Sequence, residues 1–276
     1  MNTGLFDLNV ICTSDIDKEV MVSYATIHCG LTWEMIDNYS DYSSKEQMID
    51  ELLSRKIGYN FKQNKPYNWN RLKERELKKY WLAMKLSNNL GDISNIESLP
   101  YADLWTVSFC CQDISAAGHQ AGFTEESGTR SSLVWEQIRL LRDAITNNKS
   151  PKYLLFENVK NLVSKKFKPE FDRLIQTLDE LGYNTYYQVI NAKNCGIPQN
   201  RERVFGMCIR KDIDTGKFVF PIPFDSGKRL KDMLEQNVDE KYYINSDKVD
   251  ILIDNLIKNG ILEGATADKS CERWDL

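Results

Sequence analysis

The chain has 276 residues and a formal net charge of -4, with 42% hydrophobic and 28% charged residues. That length suits one large α/β domain or one domain with an appendage, and the composition is ordinary for a globular protein. The charge excludes a uniformly basic protein but not a local basic groove, because phosphate contacts are a local matter. No apolar run approaches the ~18 residues of a membrane span, and the N-terminus does not read as a secretory leader. Seven cysteines at irregular spacing do not form a disulfide framework. With two histidines and no paired CxxC, no metal site is expected. The reading is a cytoplasmic protein in a reducing setting, with no membrane partner.

In chain order, Leu5–Cys12 reads as a strand, followed by Ser14-Asp15-Ile16-Asp17 and a helix over Lys18–Ile27. An acidic residue just past a strand end suits either a helix N-cap or a ribose diol. Residues 35–89 form a polar stretch rich in Lys, Arg, Tyr and Trp, with a helix start at Ser43-Ser44. Trp69–Leu86 reads as one basic amphipathic helix, whose charges suit a solvated face or a nucleic-acid backbone. Gly91-Asp92-Ile93 is a turn ahead of the apolar strand Leu104–Val107.

That strand runs into Ser108-Phe109-Cys110-Cys111-Gln112-Asp113-Ile114-Ser115, a pair of thiols at a strand's carboxyl end. A helix over Ser131–Asn147 follows, then the strand Tyr153–Phe156 ending in Glu157-Asn158-Val159. Pro169–Leu181 is an amphipathic helix stopped by Gly182. Thr185–Ile190 and Val204–Ile209 are strands around a polar loop ending in Arg201-Glu202-Arg203, and a last helix starts near Ser246. The alternation predicts a mostly parallel, three-layer α/β sheet. In such a sheet Cys111, Glu157 and the Arg201/Arg203 pair converge on the carboxyl edge. A thiol, a carboxyl group and guanidinium groups together suit addition to an electron-poor ring.

Four segments, in order, carry a family resemblance: Cys111-Gln112 with Ser115; Gly128-Thr129-Arg130-Ser131-Ser132-Leu133; Phe156-Glu157-Asn158-Val159; and Gly196-Ile197-Pro198-Gln199-Asn200-Arg201-Glu202-Arg203. Their order and spacing resemble those of the DNA cytosine-C5 methyltransferases of bacterial and phage restriction-modification type, over about residues 10–212. The resemblance implies a Rossmann-like fold that binds S-adenosylmethionine, and double-stranded DNA as substrate. It implies that Cys111 attacks C6 of a flipped-out cytosine, that Glu157 contacts the ring nitrogen and amine, and that Arg203 and Arg201 hold the base carbonyl and nearby backbone. Gln112 and Ser115 match DNA-contacting positions. Asp15, Ile16, Asp92, Ile93 and Leu133 match cofactor-binding ones. A tRNA cytosine methyltransferase shares the same motifs.

Three departures qualify that expectation. The family's first strand and Phe-x-Gly-x-Gly turn are not recognisable ahead of Leu5, so the sheet is expected to be incomplete and to need a complementing segment or chain. Cys110 stands where the family has proline, which leaves the loop less constrained and opens the way to a vicinal disulfide. After Arg210 about 65 residues remain, with no matching target-recognition motif. The expected organisation is a partial catalytic domain over 1–225, with the helical basic insert 35–89 inside it, and a C-terminal extension over 226–276. An inactive remnant or one subunit of a split enzyme is the alternative. A dithiol redox role for Cys110-Cys111 is weaker, because adjacent cysteines make poorer redox pairs than CxxC.

Overall fold

A computed structural model of the chain describes residues 8–61, 63–115, 121–125, 127–235, 237–242 and 246–259. It is a mixed α/β protein. One unit comprises residues 1–189 and 203–219, and a second comprises 190–202 and 220–276.

β1 (Leu104–Val107), β2 (Tyr153–Val159), β3 (Tyr183–Asn191) and β4 (Glu202–Arg210) form a sheet in the order β1-β2-β4-β3. β1 runs parallel to β2, with Val107 opposite Phe156. β4 runs antiparallel to β2, with Glu157 opposite Phe205 and Val159 opposite Arg203. Hydrogen bonds from Lys211 N–H to Gly182 O and from Ala192 N–H to Arg201 O flank β3 and β4 as an antiparallel pair. The mostly parallel sheet expected from the sequence is therefore corrected. The connection between β3 and β4 holds only a 3-10 turn, and a parallel crossover needs a dozen or more residues, usually with a helix.

Two helices close one face of this sheet: α5 (Val134–Thr146) and α6 (Lys168–Glu180). Val134, Ile138 and Leu141 recur at helical spacing on α5, as do Phe171, Leu174 and Leu178 on α6. They pack with Leu154, Phe156, Val204 and Cys208 into one core. Burying each such side chain stabilises the fold by about 1.5–3 kcal/mol. Gly206 leaves room for the Phe156 ring, since a Cβ there would lie 1.9 Å from it. On the other face Leu104 and Tyr153 are exposed, so the three-layer expectation holds on one face only among the described residues.

A second core joins α1 (Lys18–His28), α2 (Trp33–Asn38), α3 (Lys45–Ser54) and α4 (Glu74–Leu86), through Met21, Ile36, Leu52, Leu77 and Trp81 among others. Ser44 caps α3 and shares a capping box with Gln47. The single helix expected over Trp69–Leu86 is instead a 3-10 turn (Trp69–Arg71) followed by α4. Much of its basic charge is spent within the protein: Arg75 pairs with Asp37, Lys78 with Glu74, Lys79 with Glu76 and Lys85 with Glu51.

The strand expected over Leu5–Cys12 is not formed by residues 8–12, and residues 5–7 lie outside the described residues. Thr13 makes only an isolated bridge to Asn89, while Leu8 and Val10 are exposed. An apolar run becomes a strand only where a neighbour satisfies its backbone groups, and β1 is an edge of the sheet.

In the second unit, Cys195 bridges Phe224 and the Ser226 hydroxyl donates to Gly196 O at 2.9 Å. That unit also carries α7 (Ser246–Lys258).

Candidate active site

The site is built where β1 and β2 end side by side. Beyond Val107 the chain continues along β2, and the buried Asn158 side chain donates its Nδ2–H to Phe109 O at 3.1 Å. The backbone then turns: Cys111 O accepts from Ile114 N–H at 3.1 Å and from Ser115 N–H at 2.7 Å. Cys110 and Cys111 are both half-buried free thiols, so the vicinal disulfide is not formed.

Side chains from distant segments hold this turn. The Ser131 hydroxyl donates to Cys110 O, and the Asn161 amide donates to Ile114 O. The Ser131 N–H reaches the buried Asp113 carboxylate at 3.3 Å, and the Ser131 hydroxyl accepts from Asp113 N–H at 3.3 Å. Arg130 reaches the exposed Gln112 amide oxygen at 3.1 Å.

Glu157 lies inside β2 rather than beyond its end, as β2 continues to Val159. In the antiparallel register Glu157 and Arg203 are diagonal neighbours on one face. Arg203 Nε lies 3.1 Å from Glu157 Oε1, with side chains 24% and 35% exposed. Because β4 opposes β2, the amino end of β4 meets the carboxyl end of β2. The expected convergence of Glu157 and Arg203 therefore holds, through an antiparallel strand instead of a parallel one.

Arg201 belongs to the second unit. It is exposed in the loop before β4, where its N–H donates to Asn191 Oδ1 at 3.1 Å and its carbonyl accepts from Ala192 N–H.

A second polar corner joins the segments around Asp15 and Asp92. Asn89 is its hub: Oδ1 accepts from Asp15 N–H at 3.1 Å and Gly91 N–H at 2.8 Å, and Nδ2 donates to Asp15 O at 3.0 Å. The N-cap of α1 is Asp17, not Asp15. Asp15 is exposed, with Oδ1 accepting the Asp17 N–H at 2.7 Å. Partial removal from water raises the Asp15 carboxyl above its ordinary value; the backbone hydrogen bonds of Asp17 and Ile16 oppose this, and the Asp17 charge adds to it.

Asp92 is almost fully buried. Its Oδ2 pairs with Lys56 Nζ at 2.7 Å and its Oδ1 accepts from Ser94 N–H at 3.0 Å. Burial raises this carboxyl, but Lys56 and the Ser94 N–H outweigh burial and hold it below the ordinary carboxylate range. Ile16 and Ile93 flank the corner half-buried, and Leu133 is exposed at the end of the 3-10 turn before α5. Arg139 of α5 donates to Ile96 O at 2.7 Å and Ile93 O at 3.3 Å, which ties the corner to the helix that follows Ser131.

An exposed carboxylate beside a half-buried isoleucine fits a ribose diol next to a flat purine. The Asp92 carboxylate holds Lys56 and the Ser94 N–H at the turn that carries Ile93. Sequence reasoning gave no role to Asn89, Lys56, Asp113, Ser131 or Asn158. Asn158 and Ser131 stand inside recognised motifs and Asp113 lies beside Cys111, but their contacts join segments far apart in the chain and leave no local signal.

A family model described as C-5 cytosine-specific DNA methylase matches residues 57–269. The type II methyltransferase M2.ScrFI of Lactococcus lactis subsp. cremoris is 40% identical over 244 residues, 87% of this chain and 64% of that protein. The orphan methyltransferase M.SssI of Spiroplasma monobiae is 40% identical over 234 residues, 82% of this chain and 58% of that protein. Among solved structures, the S. pombe Dnmt2 methyltransferase is 26% identical, with a TM-score of 0.38 over 58% of this chain and 45% of that one. The chain thus spans less than two thirds of the length of these relatives. It belongs to the C-5 cytosine-specific DNA methylase family.

Proposed function

We propose that the chain carries the catalytic centre of a DNA cytosine-C5 methyltransferase. The observation that carries this reading is the Glu157–Arg203 pair, held at the strand edge where the Cys111 turn begins. The Cys111 thiolate adds to C6 of a cytosine turned out of the duplex, and the ring electrons move to C5. The Glu157 carboxyl group donates its proton to the ring nitrogen and accepts from the amine N–H, which makes C6 more electrophilic. Arg203 holds the base carbonyl and fixes the Glu157 carboxylate, and Arg201 holds nearby backbone phosphate. Gln112 and Ser115 contact the strand around the displaced nucleotide. S-adenosylmethionine, when bound, supplies the electrophilic methyl that C5 takes. Loss of the C5 proton to a base then expels the thiolate and restores the ring. Asp15 holds the cofactor's ribose, Ile16 and Ile93 its adenine, and Asp92 shapes that turn. Leu133 lines the same site.

Among the described residues β1 is an edge of the sheet, which favours a second element of this reading, in which a further strand pairs with β1 and completes the cofactor side of the sheet. The test is transfer of a labelled methyl group to unmethylated duplex DNA, followed by base analysis. Label in 5-methylcytosine supports the reading, and label on an exocyclic amine contradicts it.

A further inference from the structure

The turn that carries Cys111 contains no proline, yet side chains hold its backbone at three points. Phe109 O, Cys110 O and Ile114 O each accept a hydrogen bond from a side chain, those of Asn158, Ser131 and Asn161. Of these donors Ser131 stands apart. It is fully buried, and it reaches the carbonyl immediately before Cys111.

Its hydroxyl has one proton to give. The contact to Cys110 O is the closest it makes, so the proton goes there. Its oxygen then accepts from Asp113 N–H at 3.3 Å, and its own N–H serves Asp113 Oδ2 at 3.3 Å. Ser131 thus grips the chain on both sides of Cys111, at positions 110 and 113. It is itself fixed in the 3-10 turn Arg130–Leu133, capped by the Thr129 side chain and leading directly into α5.

Removing the hydroxyl leaves the half-buried Cys110 carbonyl without its side-chain donor and the Asp113 N–H without its acceptor. Both losses fall on the backbone that aims the thiol. A reacting atom held within a few tenths of an ångström needs this kind of support behind it.

From this geometry we infer that Ser131 is a positioning residue for Cys111, acting through the Cys110 carbonyl and Asp113. This rests on the reading of Cys111 as the nucleophile. Two measurements on the full chain separate the claims. Hydrogen exchange reads the turn without any reaction. In Ser131→Ala the amides of Asp113, Ile114 and Ser115 should exchange about tenfold faster, the scale of one buried hydrogen bond. Tyr183→Phe is the matched control, because it also removes a buried hydroxyl-to-carbonyl hydrogen bond, to Pro151 O at 2.7 Å, at the opposite edge of the sheet. It should leave those three amides unchanged. Equal protection in Ser131→Ala and wild type overturns the inference.

The second measurement is the single-turnover rate of covalent capture by a duplex containing 5-fluorocytosine, with S-adenosylmethionine present. Ser131→Ala should lower that rate at least tenfold at saturating DNA, with the DNA dissociation constant within twofold of wild type. A purely structural role would weaken binding and capture together. Should Ser131→Ala fail to fold, Asp113→Ala removes the acceptor of the Ser131 N–H and leaves the grip on Cys110 O in place. It should give a smaller loss in the same two readouts, and wild-type values there overturn the inference. If exchange responds but the wild-type chain captures no duplex, the nucleophile reading fails and the positioning of the turn stands.

Discussion

Arg203 and Glu157 meet across a diagonal of the antiparallel β2–β4 pair, Nε to Oε1 at 3.1 Å, because Arg203 faces Val159 two residues beyond Glu157. Paired residues share a face, and side chains two apart along a strand share it as well. The contact therefore depends on strand direction. A parallel β4 would carry Arg203 to the other edge of the sheet.

Truncating Arg203 leaves Glu157 without its partner and removes the donor proposed to hold the base. Arg203→Ala is expected to slow covalent capture of DNA by about tenfold to a hundredfold, matching the ~1.5–3 kcal/mol of a hydrogen bond to a charged group. Single-turnover capture checks this, and an unchanged rate would remove Arg203 from the chemistry.

The Asp92–Lys56 pair makes a prediction about stability and pH. A carboxyl held low in the folded state contributes stability above its unfolded pKa of about 3.9, and that contribution is lost as pH falls through the lower folded value. The urea midpoint should fall below about pH 4, and Asp92→Asn should flatten that part of the profile. Lys56→Met leaves a buried charge unpaired and should destabilise the chain by about 2 kcal/mol at pH 7. Identical midpoints for Lys56→Met and wild type would contradict this.

Asp15 has the opposite sign. Its carboxyl is raised, so its penalty is absent below the unfolded pKa and present above the folded one. Asp15→Asn is expected to raise the urea midpoint at pH 7 and to weaken S-adenosylmethionine binding at least tenfold by calorimetry. A variant that binds the cofactor as wild type does would take the ribose away from Asp15.

Gly91 sits at φ +80°, and a Cβ there would lie 2.0 Å from Arg55 O. Backbone strain and a clash with a backbone atom act together. Gly91→Ala should cost more than about 3 kcal/mol by urea unfolding and release the Asp92 turn. A loss under about 1 kcal/mol would show that the corner yields.

The elements with a strong local period were legible in the chain. β1 has the expected bounds, α6 runs from Lys168 to Glu180, and α5 follows its apolar stripe from Val134. The direction of β4 also left a trace, in the short connection after Asn191. Leu5–Cys12 reads as a strand by composition alone, because composition does not say whether a neighbour is present to pair with it. Cys111, Glu157 and Arg203 stood out as polar groups at the ends of apolar runs. Their supports did not, since Asn158 reaches Phe109 across 49 positions and Ser131 reaches Asp113 across 18. Such ties exist only once the chain has folded.

The measurement that bears most directly on the account is covalent capture by a duplex containing 5-fluorocytosine, with S-adenosylmethionine present, read as a DNA-bound band that survives denaturation. The wild-type chain and Cys110→Ser should form it, and Cys111→Ser should not. A band that survives in Cys111→Ser and disappears in Cys110→Ser would contradict the assignment of the nucleophile and the role given to the turn around it.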